Sequence, residues 1–273
     1  MKFKRNILSF DLESWVYPDL PNYRSLSSIE RKVIDNGYLN FSIKYLLEKL
    51  EGTNNYATFF IIAEQYEWNK DIIKKILKKG HEIGYHTHNH TYLKNENDLK
   101  NQLLLSKDFL EEFQPKGFRS PMLRYLKSFN KILKDFGFKY TSNFYNSEKN
   151  IKDQNNLIEI YISCYNFKKK YSEENLELKI KNLYKYMYFG SPYFFPLIPY
   201  RNLKKFINLQ NKNEIAFHIF FHNWQIIKPK INANKSILLR NPLYLPYTFD
   251  IKSKFENLLN QYSFVSIEKF INS

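Results

Sequence analysis

Short apolar runs alternate with amphipathic stretches along the chain, and most runs end at a polar cluster. Asn6–Phe10, Tyr56–Ile62, Glu82–Tyr85, Gly117–Arg119, Phe138–Ser142, Leu157–Ile162, Ile215–Phe221 and Phe264–Ile267 read as buried strands. Between them, apolar residues recur at helical spacing over Tyr38–Leu50, Asp71–Lys79, Asp98–Phe113, Leu126–Phe136, Arg201–Leu209 and Ile251–Gln261. In Asp71–Lys79, Ile72, Ile73, Ile76 and Leu77 share one face, lysines take the other, and Gly80 stops the helix. Such alternation predicts an α/β fold with a parallel sheet. Seven or eight strands suffice for a closed barrel, but periodicity does not choose between a barrel and an open sheet.

The polar clusters carry the candidate chemistry. Past the strand Glu82–Tyr85 comes His86-Thr87-His88-Asn89-His90. On a helical turn, positions i and i+4 lie about 5–6 Å apart at Cβ, so His86 and His90 can grip one metal ion. Two solvated histidines would show the same spacing. The strand Asn6–Phe10 runs into Asp11-Leu12-Glu13, and in an extended chain the period of two sends both carboxylates to one side. The C-terminal ends of strands are where α/β barrels and sheets place their sites. Two carboxylates and two histidines there make a facial metal site plus a spare base. The run Ile215–His222 alternates, so His218 and His222 face the same way, roughly 13 Å apart along the strand. Only His222 sits at the C-terminal end. His218 reads as a buried histidine with a hydrogen-bond partner, and His81 and His88 as structural or rim residues.

Length and composition narrow the class. The 273 residues suit one domain, 1–273, of barrel size. A single cysteine, Cys164 in an apolar run, excludes an internal disulfide. The basic N-terminus has no apolar h-region, and no segment approaches the ~20 apolar residues of a membrane span. The expectation is a cytoplasmic enzyme, at the inner membrane face if its substrate is lipid-linked. The net charge of +15 favours an anionic partner: nucleic acid, an anionic bilayer or a phosphorylated sugar donor. With no nucleic-acid-binding motif, nucleic acid is the weakest of these. The segment Tyr184–Tyr200 is densely aromatic and reads as core packing or as an interfacial patch.

Taken in order, the motifs resemble the polysaccharide deacetylases of the NodB-homology type, family 4 of the carbohydrate esterases. Ser9-Phe10-Asp11-Leu12-Glu13 is similar to the family's first motif, in the Asp-x-Glu form of a subgroup associated with exopolysaccharide and O-antigen clusters. His86–His90 matches the metal motif His-(Ser/Thr)-x-x-His, and Arg119-Ser120-Pro121 matches Arg-x-Pro. Phe221-His222-Asn223-Trp224-Gln225 looks like the subgroup's His-Pro-Trp-Glu segment. The resemblance covers roughly residues 6–225. It implies a single-domain distorted (β/α)7 barrel and a metal-dependent N-deacetylase acting on an N-acetylated amino sugar in surface polysaccharide synthesis. One divalent metal, Zn2+ by expectation, would be held by Glu13, His86 and His90. Asp11 would be the general base, Arg119 its partner, and His222 the acid that protonates the leaving amine. The Met122 amide would help hold the oxyanion, and Trp224 would wall the sugar pocket or lie in the core. Tyr184–Tyr200 resembles the subgroup's aromatic stretch before the last motif, which implies that it borders the substrate cleft, with Tyr193 among the sugar contacts. From the charge, the sugar is expected to be phosphate-linked, with peripheral membrane contact and no nucleic acid. A sugar deformylase and a non-catalytic carbohydrate-binding relative are the competing readings.

Overall fold

The computed structural model describes residues 6–19, 23–154, 156–168, 175–229, 246 and 248–273. Its strands are β1 (Asn6–Leu12), β2 (Thr58–Ile61), β3 (Glu82–Tyr85), β4 (Gly117–Phe118), β5 (Tyr140–Thr141), β6 (Tyr145–Asn146), β7 (Ile151–Asp153), β8 (Ile158–Ile160), β9 (Ile162–Ser163), β10 (Tyr165–Asn166), β11 (Tyr186–Met187), β12 (His218–His222) and β13 (Phe264–Val265). The main sheet has the order β12-β1-β2-β3-β4-β5-β8-β7, with β13 also paired to β1. From β12 to β8 every pairing is parallel, and β7 joins antiparallel. Two short pairs, β6 with β9 and β10 with β11, lie off this sheet.

The helices are α1 (Val16–Asp19), α2 (Ser28–Asp35), α3 (Tyr38–Gly52), α4 (Glu64–Trp68), α5 (Lys70–Lys78), α6 (Glu96–Leu105), α7 (Lys107–Phe113), α8 (Phe129–Asp135), α9 (Tyr200–Lys212), α10 (Asn223–Ile226), α11 (Lys252–Gln261) and α12 (Ile267–Ile271). All seven residues of β1 are buried, which requires cover on both faces. Leu8, Phe10 and Leu12 pack into the layer that holds the helices, among them Ile43 and Leu47 of α3. Ile7 faces the other way, into a cluster with Phe60, Tyr140, Ile160 and Ile267. The period of two therefore commits Ser9 and Asp11 to that inner side.

The sheet curls strongly. Arg119, just past β4, donates to Ser9 of β1 at 3.1 Å and lies 4.7 Å from the ring of Phe220 on β12. In a flat sheet, strands three apart would be about 14 Å from one another. Small residues make room inside: a Cβ on Gly117 would come within 2.1 Å of the Tyr140 ring. Seven strands run parallel from β12 to β8 and β13 adds a further parallel pairing to β1, but among the described residues the ladder does not close into the continuous barrel that the resemblance implied. Between β9 and β12 the gap is spanned by Gly190, which donates to the Ser163 carbonyl (2.9 Å) and accepts from the Phe220 N–H (3.2 Å).

Several boundaries differ from the sequence expectation for local reasons. The helix expected over Asp98–Phe113 breaks at Ser106, whose hydroxyl donates to the Gln102 carbonyl (2.9 Å). The strand expected to reach Ile267 stops at Val265, because Ser266 caps α12. α2 starts at a capping box of Ser27 and Glu30, a Ser-x-x-Glu signal that the apolar spacing did not reveal. In the aromatic segment, Tyr186, Tyr188, Phe189 and Phe195 are buried and pack in the core, whereas Tyr184 and Leu197 are exposed. Among the described residues, no helix is long and apolar enough to cross a membrane.

Candidate active site

The ends of β12, β1, β3 and β4 deliver the candidate residues to one place. Asp11, next to last in β1, is in register with His222 of β12, and Glu13 is the first residue past the strand. His86 follows β3, and Arg119 follows β4. Asp11, Glu13, His86 and Arg119 are each at most 3% exposed.

Arg119 is held by four side-chain hydrogen bonds. Nε donates to the Ser142 carbonyl (2.9 Å), Nη1 to Asp11 Oδ1 (2.7 Å), and Nη2 to Ser142 Oγ (2.9 Å) and Ser9 Oγ (3.1 Å). Its guanidinium also lies over the rings of Phe60 and Phe220, at 4.2 and 4.7 Å. Below it, His218 is wholly buried, with Nδ1 on the Tyr161 carbonyl and Nε2 on Ser9 Oγ. Burial and the nearby Arg119 charge push the His218 imidazole down to about 3, so it stays neutral, as expected of a structural histidine.

Each carboxylate divides its two oxygens. Asp11 gives Oδ1 to Arg119, and its Oδ2 lies 4.0 Å from Nε2 of both His86 and His222. Glu13 accepts the Trp224 indole N–H on Oε2 (3.2 Å), and its Oε1 faces three imidazoles. The distances are 3.4 Å to His86 Nε2, 3.2 Å to His90 Nε2 and 3.7 Å to His222 Nε2. Burial alone would push the Glu13 carboxyl up, but the charges of His90 and His222 and the close approach of the His86 and His90 rings hold it well below the usual carboxylate range.

The tautomer of His86 follows from its partner. Nδ1 lies 2.7 Å from the Arg119 carbonyl, which can only accept, so Nδ1 carries a proton. In the neutral ring, the Nε2 lone pair then points at the lone pairs of Glu13 Oε1. Nε2 is buried and makes no hydrogen bond of good geometry. Two acceptors facing each other in a buried site call for a positive charge between them, either a proton or a cation. Burial opposes protonating His86, but Asp11 and Glu13 outweigh it and raise its pKa. The donor set also fits a metal ion: ligand atoms of Glu13, His86 and His90 lie within 4.8 Å of one another, as do those of Asp11, Glu13 and His222.

His86 and His90 do not meet on a helical turn. Thr87 and His90 have φ of 65° and 58°, so the loop doubles back through left-handed residues. The amides of His88 and Asn89 both donate to Gln102 Oε1 (3.0 and 3.2 Å), and the two rings meet with centroids 5.3 Å apart. His222 is positioned by Gln225: Nδ1 lies 2.9 Å from Oε1, which also accepts the His222 backbone N–H at 3.1 Å. The amide of Gln225 is oriented by Nε2 donating to the Pro192 carbonyl at 3.2 Å.

The remaining sequence candidates lie differently. Trp224 is 7% exposed and stacks on His222 with centroids 4.7 Å apart and 18° between planes. Met122 is 76% exposed at the rim, with Met122 and Leu123 both left-handed at φ 55°. Tyr193 is half-buried and packs edge-on to Phe194 at 5.1 Å. A cavity of about 490 Å³, lined by Lys179, Lys181, Tyr184 and Lys185 among others, contains none of the site residues. Ser142 and Gln65 were missed as functional positions, and Ser9 and Gln225 entered only as motif neighbours, because a lone polar side chain carries no spacing signal.

A curled parallel sheet with carboxylates and histidines gathered at its strand ends defines an α/β protein with a candidate metal site. Residues 33–141 match the polysaccharide deacetylase family model. A curated peptidoglycan-N-acetylglucosamine deacetylase of Bacillus cereus (strain ATCC 14579) is 36% identical over 107 residues, which are 38% of this chain and 49% of the relative. The chain thus spans about half the length of that relative. The family model and this relative together support the polysaccharide deacetylase family. Two solved structures share the fold over almost the whole chain. The Bc1960 peptidoglycan N-acetylglucosamine deacetylase has a TM-score of 0.50 at 18% identity, covering 98% of this chain and 88% of its own. The Puue allantoinase has a TM-score of 0.59 at 15% identity, covering 97% and 89%. At these identities the likeness speaks for fold alone, and function must be argued from the site.

Proposed function

We propose that this chain is a metal-dependent N-deacetylase that hydrolyses the amide of an N-acylated amino sugar. The observation that carries this reading is the pair of facing acceptors, His86 Nε2 and Glu13 Oε1, enclosed with His90 in a buried site. Glu13, His86 and His90 would hold one divalent ion, Zn2+ being suited to a carboxylate and two imidazoles. When bound, such an ion supplies Lewis acidity toward the amide carbonyl and a water molecule.

The chain's own residues then divide the proton transfers. Asp11 presents Oδ2 to the site and takes the proton of the attacking water. Arg119 keeps the other oxygen occupied and the carboxylate aimed. His222 keeps its Nδ1 proton against Gln225 Oε1, so its imidazolium delivers the Nε2 proton to the leaving nitrogen. Water and amide become a carboxylic acid and an amine. The Met122 amide is the proposed donor to the oxyanion, and Tyr193 and the rim near Met122 the proposed sugar contacts. Trp224 supports the site from behind. A non-catalytic role fits poorly, because a decayed site would not retain all of Asp11, Glu13, His86, His90, Arg119 and His222 in mutual reach.

The Asp-x-Glu spacing supports the exopolysaccharide and O-antigen subgroup and a place in surface polysaccharide synthesis. The net charge of +15 supports an anionic, phosphate-linked carrier. The decisive experiment measures bound metal and acid release from N-acetyl and N-formyl amino sugars, free and phosphate-linked. Asp11→Asn should retain the metal and lose about 10²–10⁴-fold in turnover. Near-normal turnover in that variant, or no metal in the unaltered protein, would refute the reading.

A further inference from the structure

Glu13 is more tightly controlled than a metal-ligating carboxylate needs to be, and the control comes from three buried side chains on other elements. Asn223, in α10, accepts the Glu13 backbone N–H on Oδ1 at 2.9 Å. Its own amide is fixed by donating to Ser42 Oγ (2.9 Å), a hydroxyl that in turn donates to the Leu39 carbonyl (2.9 Å). Gln65, in α4 and wholly buried, brackets the residue from the other side. In the orientation that satisfies both groups, it donates to the Leu12 carbonyl at 3.0 Å and accepts the Ser14 N–H at 2.9 Å. The peptide groups around Glu13 therefore cannot turn without breaking buried hydrogen bonds. Trp224 completes the control by donating its indole N–H to Oε2 at 3.2 Å.

We propose that Trp224 is a positioning residue that makes Glu13 a one-oxygen metal ligand, with Asn223 and Gln65 locking the backbone beneath it; this rests on the assignment of Glu13 as a ligand. The indole suits the task for three reasons. Its N–H donates only, so it competes for no metal. It is neutral, so it orders the carboxylate without repelling a cation. It is rigid and stacks on His222, so one ring sets both the rotation of the Glu13 carboxylate and the plane of the His222 imidazole. With Oε2 engaged, only Oε1 is turned toward His86 and His90, which leaves room at the ion for water and substrate. A tryptophan buried merely for packing would not have to spend its N–H on this oxygen.

The test replaces Trp224 with Phe, which keeps a ring and removes the N–H. Zn2+ affinity is read by competition with a chromophoric chelator, and the ligand arrangement from the visible absorption of the Co2+-loaded protein. Loss of a hydrogen bond to a metal ligand typically costs about 10–100-fold in affinity, and that loss is expected here. The Co2+ bands should also weaken, because a freed carboxylate can bind through both oxygens and raise the coordination number. An unchanged affinity together with an unchanged Co2+ spectrum overturns the proposal. Glu13→Gln separates the levels: if that variant keeps its metal, Glu13 is no ligand, and the site assignment itself fails. Should Trp224→Phe not fold, Gln65→Met serves instead, since it removes both bracketing hydrogen bonds at similar length. A loss of about tenfold in Zn2+ affinity is expected there, and no loss overturns the backbone lock.

Discussion

Removing the Arg119 charge tests the arrangement of the whole site. Arg119 is wholly buried, and all four of its side-chain hydrogen bonds go to buried partners. Arg119→Met keeps an unbranched chain between Phe60 and Phe220 but leaves the Asp11 carboxylate buried without its counter-charge. Breaking a buried pair from one side typically costs about 3–5 kcal/mol, against a total stability of about 5–15 kcal/mol for a domain. Removing both charges together is much cheaper, since no isolated ion remains. The double variant Arg119→Met/Asp11→Asn should therefore be more stable than Arg119→Met alone, by roughly 2–4 kcal/mol. Urea unfolding at fixed pH, with a chelator present to remove metal, gives the four stabilities of the cycle. Additive losses, with the double variant the least stable of the four, would show that Arg119 acts by packing and not as the partner of Asp11.

Two further outcomes follow from other parts of the site and the core. His222→Ala should slow amide hydrolysis by about 10²–10⁴-fold and an activated ester much less, because a good leaving group needs no proton; equal losses on both would remove His222 from the acid role. Burial pushes the Glu82 carboxyl up to about 7, against opposing hydrogen bonds from Thr58, Tyr140 and the Glu268 amide. A carboxyl raised in the folded state keeps its proton longer there than in the unfolded chain. Its contribution is full below the ordinary value near 4.5 and is lost as pH rises through about 7. The loss is about 3 kcal/mol at most, so the stability gap between Glu82→Gln and the unaltered protein should shift in favour of the variant from pH 5 to pH 8. Urea midpoints that run parallel across this range would contradict it.

The amino-acid sequence determined which chemistry is available and roughly where it sits. The alternation around Asp11 and Glu13 fixed their common side, because a strand has only two faces. The spacing of strands and helices likewise predicted a parallel sheet, because each amphipathic helix needs an apolar sheet face to cover. The reason that His86 and His90 meet was not legible. Their four-residue spacing suggested a helical turn, whereas the loop uses left-handed backbone at Thr87 and His90 and an amide from Gln102, sixteen residues past His86. The role of Trp224 was hidden for a similar reason. An indole in an apolar run reads as core or pocket wall, and only folding brings it to a carboxylate 211 residues away. The curl of the sheet, the gap bridged by Gly190 and the clamp of Asn223 and Gln65 around Glu13 were decided by tertiary structure alone. These depend on contacts between residues far apart in the chain, and local periodicity carries no information about which distant side chains will share a hydrogen bond.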